Sequence, residues 1–195
     1  MHKRDFLAAA ALGAVAVPSI AQAPRAGNGP GLRSPALLTV TGAIARPNRG
    51  PFDAMRDQMM SKQKLTFDKA HAFDFGALAA LPAVTIRPTL EYDNQQHELR
   101  GPLLVDVLKA AGAATDGKLA TRAVDGYAPT ITIADARKYR FIVATHLDGQ
   151  TMPLGGLGPL WAVYEPDRFP EMAAKPVADR FANCPWAVFH IDVQA

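Results

Sequence analysis

An α+β domain is what this sequence predicts, and three observations predict it. Short runs of alternating apolar and polar residues recur along most of the chain. Helical patterns are few and short. The residues able to hydrogen-bond gather in the connections between these runs, as on a rigid scaffold whose loops carry the binding chemistry.

The 195 residues do not all belong to that domain. Lys3 and Arg4 give a basic start, residues 6–17 a short apolar run, and Ala21 to Ala23 a small-x-small cleavage site. This is the pattern of a signal peptide over residues 1–23. The apolar run is well below the roughly 18–20 residues needed to cross a bilayer. Residues 3–7 (KRDFL) also resemble a twin-arginine export signal whose first arginine is lysine. The folded part is therefore expected in the periplasm. Residues 24–36 are rich in Pro and Gly and read as a flexible linker. Residues 37–195 form a single domain with room for a real core.

Leu37 to Gly42 alternates and ends in glycine, a first strand. Residues 43–51 are turn material. Residues 52–64 carry a helical pattern, with Phe52, Met55 and Met59 spaced as a core-filling stripe. Residues 73–82 read as a short helix capped by Asp74 and stopped by Pro82. Val84 and Ile86 alternate with Thr85 and Arg87 as a half-buried strand that Pro88 ends. A polar loop of ten residues, 89–98, follows and is longer than most connections. Gly101 reads as a turn, and Pro102 as the first residue of a helix whose apolar face is Leu103, Leu104, Val107, Leu108 and Ala111, stopped by Gly112.

Residues 119–124 and 129–133 read as two more strands, with a helical turn over 134–137. Residues 141–147 form the most apolar run and predict one buried strand, His146 being a core histidine on it. Asp148 and Gly149 signal a hairpin turn. A glycine-rich loop, 151–159, leads to a strand at 160–164. Residues 165–183 are a turn-rich excursion with a short helix, and 186–193 the final strand.

Composition excludes several function classes. Removing residues 1–23 takes away two cations and one anion, so the formal charge falls from +3 to +2. No basic stripe interleaves with aromatics, which argues against nucleic acid. One cysteine, Cys184, allows no intrachain disulfide and no multi-cysteine metal or iron–sulfur site. His71, His97, His146 and His190 lack zinc-site spacing. No serine sits in a nucleophile elbow, and residues 155–158 (GGLG) lack the spacing of a dinucleotide fingerprint or phosphate loop.

The ordered segments 38–42 (LTVTG), 75–82 (FGALAALP), 84–86 (VTI), 100–112 (RGPLLVDVLKAAG), 123–127 (AVDGY), 143–153 (VATHLDGQTMP) and 158–163 (GPLWAV) resemble the molybdopterin-binding domain family of the sulfite-oxidase fold, in its short exported form. The resemblance implies a mixed-sheet, single-domain fold. In catalytic members a cysteine thiolate between the strand at 84–86 and the helix after Gly101 holds molybdenum. This sequence has no cysteine there and offers Thr89, Glu91, Tyr92 and Asp93. Such hard oxygen donors do not reproduce a soft thiolate. Cys184 lies far along the chain, outside the family motifs, where it reads as a small buried hydrophobe. Exported relatives without the cysteine bind a reduced pterin and control a membrane-bound enzyme of cyclic-di-GMP turnover. The resemblance thus implies a non-catalytic pterin-binding module with a periplasmic signalling partner and no metal. The alternatives are a molybdopterin oxidoreductase with an oxygen ligand at Glu91 or with its metal held only through the dithiolene, and an interaction domain that binds nothing small.

A pterin's edge presents an amino group and a ring N–H side by side, and one carboxylate accepts both in a fork. Glu91 and Asp125 are the candidates; the plainer roles are a solvated loop charge and a turn residue bonding its own backbone. Tyr92, Tyr127 and Trp161 are candidates for stacking on the ring, although a tryptophan in mid-strand such as Trp161 is more often a core residue. Arg87 and Arg100 flank the polar loop and are candidates for a carbonyl or phosphate oxygen.

Overall fold

The computed structural model describes residues 32–195; the expected signal peptide and most of the expected linker lie outside the described residues. In chain order the first half contains β1 (Leu38–Gly42), α1 (Gln58–Lys62), β2 (His71–Phe73), α2 (Phe75–Ala79), β3 (Ala83–Ile86), β4 (Leu99–Pro102) and α3 (Leu104–Ala111). The second half contains β5 (Lys118–Ala123), β6 (Thr130–Thr132), α4 (Ile133–Lys138), β7 (Ile142–Ala144), β8 (His146–Leu147), β9 (Gln150–Thr151), β10 (Trp161–Val163), α5 (Pro170–Ala173) and β11 (Val188–Gln194). Two 3-10 turns, Pro166–Arg168 and Val177–Phe181, flank α5.

Five strands make a mixed sheet in the order β2-β1-β11-β5-β6. Its centre pairs the first and last strands in parallel, Val40 opposite Ile191, while every other pairing in it is antiparallel. Alternation explains the burial on β5, where Leu119, Thr121 and Ala123 point inward and Lys118 and Arg122 do not. A four-stranded antiparallel sheet, β3-β4-β8-β9, and the pair β10-β7 complete the α+β architecture. Helix α3 lays Leu104, Val107, Leu108 and Ala111 into the core, and Gly112 closes it at a left-handed φ of 67°. Helix α2 begins where Asp74 accepts the Ala77 amide at 2.7 Å. The other Asp74 oxygen accepts the Arg33 and Ser34 amides, which docks the end of the Pro/Gly-rich segment on the domain. No described helix is long and apolar enough to cross a membrane.

Five sequence expectations are corrected here. Pro102 does not start a helix: it ends β4 opposite Ala83, and α3 begins at Leu104, whose amide donates to the Phe141 carbonyl. Gly101 is there for close approach, since a Cβ on it would sit 2.0 Å from the Val143 carbonyl oxygen. Residues 141–147 are not one strand. The chain changes sheets at Thr145, whose amide donates to the Arg100 carbonyl, so β7 pairs with β10 while β8 pairs with β4 and β9. His146 is only half-buried, held by Thr145 Oγ1 at Nδ1 and edge-on to Phe75. Finally, the methionine stripe is not core: α1 is five residues long, Met55 is 81% and Met59 42% exposed, and Met60 carries the burial instead.

Candidate functional site

The polar loop between β3 and β4 is tightly wound. Leu90 is buried and its amide donates to Gln95, while the Asn94 amide donates back to Leu90. Asn94 takes a left-handed φ of 57°, which its short polar side chain tolerates. With Leu90 turned in, Glu91 and Tyr92 are turned out. They form one wall of a cleft of about 280 Å³ whose other walls are Tyr127, Ala178, Phe181, Ala182, Cys184 and Trp186. Tyr92, Tyr127 and Trp186 keep 55%, 46% and 37% of their surface exposed, so three aromatic faces border one concavity holding a single carboxylate.

The electrostatics follow from that crowding. Burial pushes the Tyr92 phenol up to about 12, helped by the Glu91 charge and a hydrogen bond with Glu91. Cys184 is 4% exposed, and burial holds its thiol well above the ordinary value, with the Glu91 charge adding to this. The Tyr164 backbone amide hydrogen-bonds the sulfur and offsets part of that shift. Both groups are therefore neutral near pH 7, and Glu91 faces two neutral neighbours able to donate.

Three polar connections hold the walls together. Asp167 accepts the Thr89 amide on one oxygen and Arg180 Nη1 on the other, both at 2.7 Å. Arg180 also donates from Nε to the Lys175 carbonyl and from Nη2 to the Ala173 carbonyl. Its side chain is 14% exposed and that of Asp167 26%. The Tyr127 hydroxyl donates to the Ala182 carbonyl. Behind the cleft, the Trp161 indole N–H donates to the Cys184 carbonyl at 2.9 Å. Beside it, His97 bridges two carboxylates, Nδ1 to Asp148 at 2.6 Å and Nε2 to Asp93 at 2.9 Å, and ties the loop to the β8–β9 hairpin.

Of the residues singled out from sequence, Glu91, Tyr92 and Tyr127 come together in the cleft. Five do not line it. Arg87 is exposed and paired with Glu98. Thr89 supplies its amide to Asp167. Arg100 is exposed on β4, opposite His146. Asp125 caps its own turn by accepting the Tyr127 amide at 2.9 Å. Trp161 is 1% exposed and has no free face to stack. The glycine-rich loop also stays outside the cleft lining. Sequence reasoning missed Phe181, Cys184 and Trp186 as cleft walls. Cys184 is buried as expected, yet its burial is against the polar loop, so a thiol does reach the region that has none in the local sequence. Among the described residues no group of three or more His, Cys, Asp or Glu side chains is placed to hold a metal ion.

No protein-family model and no curated protein matches the chain. Solved structures do match its fold, among them the crystal structure of the sulfane dehydrogenase SoxCD from Paracoccus pantotrophus. The similarity has a TM-score of 0.53 at 12% identity and covers 80% of this chain but 37% of that one. At that identity the likeness is one of fold. It is to a part of a dehydrogenase chain, little more than a third of its length.

Proposed function

We propose that this chain is a binding module for a flat, pterin-type heterocycle, seated in the cleft between residues 91–92, 127 and 178–186. The observation that carries this reading is one carboxylate, Glu91, among three exposed aromatic faces at one concave site. Glu91 would take the amino and ring N–H of the heterocycle's edge in a fork. Tyr92, Tyr127 and Trp186 would cover its faces. The module acts without redox chemistry of its own, is exported to the periplasm, and reports its ligand to a membrane enzyme of cyclic-di-GMP turnover. The family resemblance of the ordered segments supports the sulfite-oxidase-type scaffold and the signalling role.

The test is a reduced tetrahydropterin titrated into the purified protein, with mass and fluorescence of any ligand extracted alongside. Glu91→Gln keeps the volume and removes the charge. It should weaken binding tenfold or more, the equivalent of a lost charge-assisted hydrogen bond of about 1.5–3 kcal/mol. Unchanged binding in Glu91→Gln would remove the proposed fork.

Cys184 favours a second reading, a molybdopterin-dependent oxidoreductase. The sequence case against that activity rests on an absent thiol, and Cys184 enters the same cleft from the far end of the chain. A coordinated thiol is deprotonated outright, so its raised pKa in the free protein is no barrier. Either Cys184 or Glu91 would then be the protein ligand. One molar equivalent of molybdenum in protein from its own host, lost in Cys184→Ser, would select this reading over the first.

A further inference from the structure

A second concavity, of about 530 Å³, lies between α3, α4 and the segment around Arg46, and shares no residue with the cleft above. Its volume is in the ordinary range of small-molecule sites. Its floor is apolar: Leu108 and Ile133 are buried there, and Val105 and Ala114 line it half-exposed. Its rim carries three cations, Arg46, Lys109 and Arg137, and one acid, Asp106. Among the described residues none of these cations lies within salt-bridge distance of a carboxylate. Arg137 spends one N–H on the Thr115 carbonyl at 3.1 Å. Arg46 lies across the end of α3, where its Cγ would be 2.9 Å from a Cβ at Gly112.

Part of that charge answers the fold itself. Lys109 and Arg137 sit in the last turns of α3 and α4, each end carrying about half a negative charge. Together with Asp106 these ends offset about two of the three positive charges. A surplus of about one remains, at the mouth of a concave apolar floor. We infer that this groove binds an amphiphilic monoanion, a carboxylate with an unbranched aliphatic body, its chain on Val105, Leu108 and Ile133 and its head between Arg46 and Lys109. A small amphiphile fits better than a membrane surface because the apolar area is recessed behind the cations. The inference stands independently of what the first cleft holds.

The test uses the full chain and two probes below their micelle concentrations, decanoate and decyltrimethylammonium, which share a chain and differ in head charge. Amide shifts in a ¹H–¹⁵N spectrum report both affinity and place. Decanoate should saturate at one equivalent, shift amides within 105–115 and 133–137, and bind about tenfold more tightly than the cation. Arg46→Glu with Lys109→Glu should reverse that order with the fold intact, and Ala114→Trp, which fills the groove, should abolish binding of both. Equal affinity for the two heads, shifts centred on Tyr92 and Trp186, or decanoate binding that survives Ala114→Trp would each overturn the inference. So would dilution-dependent shifts of the groove amides in the free protein, which would mean that a second copy covers it.

Discussion

The central sheet and the cleft are held by different physics. Along β1 and β11 the inward residues Leu38, Val40 and Ile191 are fully buried, and many neighbours share the burial of each. The cleft walls contain no element longer than five residues: a wound loop on one side, and the turn at Tyr127 with the 3-10 turn Val177–Phe181 and the segment after it on the other. A few polar groups, chiefly Asp167, Arg180 and Tyr127, fix those walls against one another. Damage to the sheet should therefore lower global stability and leave the site's geometry in surviving molecules. Damage to the polar connections should misplace the site before it unfolds the domain.

The largest effect belongs to the sheet. Ile191→Ala deletes a fully buried side chain at the parallel junction with Val40 and should cost about 2–5 kcal/mol in urea unfolding, with cleft binding per folded molecule unchanged. A weaker cleft at equal folded fraction would break the comparison. Next is Arg180→Ala. It strands Asp167 and frees the Lys175 and Ala173 carbonyls, and should cost about 2 kcal/mol, less than a fully buried pair because Asp167 keeps some solvent. Its mark is local: faster hydrogen exchange at the Thr89 amide, with the Ile191 amide still exchanging only by global opening. If both amides sped up together, cleft and sheet would be one cooperative unit.

What sequence could reveal divides along the same line. Strands β1, β5 and β11 were legible because alternation is a local property, and Asp74 and Gly112 because caps are. Strand β4 was not, since Arg100, Gly101 and Pro102 carry turn chemistry while their role is set by Val143 passing across them. The sheet change at Thr145 was hidden by an uninterrupted apolar run, because burial from two different sheets leaves the same signature. In the cleft, Glu91, Tyr92 and Tyr127 stand in loops whose polarity is visible in one dimension. Cys184 and Trp186 arrive there only through tertiary contacts, the Trp161 N–H on the Cys184 carbonyl and the Asp167–Arg180 pair. Trp161 is a stacking candidate from its residue type, yet the structure buries its ring and uses its N–H, which braces the cleft from behind.

The smallest effect is a pH dependence of the cleft's outer wall. His97 stands between Asp148 and Asp93 with both ring nitrogens engaged, and those two hydrogen bonds, Asp148 first, raise its pKa above the ordinary value. The same bonds hold both carboxylates below theirs. Only the imidazolium can donate from both nitrogens, so the bridge needs His97 charged and both acids ionised. A raised imidazole pKa means stabilisation that is complete below about 6.5 and lost as the pH rises through the raised value; the depressed acids lose theirs only as the pH falls below about 3.9. The loop carrying Glu91 and Tyr92 should therefore be tied to the β8–β9 hairpin in mild acid and loosen on the alkaline side. Exchange at the Glu98 amide, which donates to Asp148, reads this directly after correction for intrinsic rates. Protection should fall as the pH rises above about 6.5 in the native chain, and His97→Gln, which has one donor nitrogen for two carboxylates, should show low protection throughout. A flat profile in the native chain would mean that the Glu98–Asp148 bond holds the hairpin without the histidine. The polar side of the comparison would then rest on Asp167 and Arg180 alone.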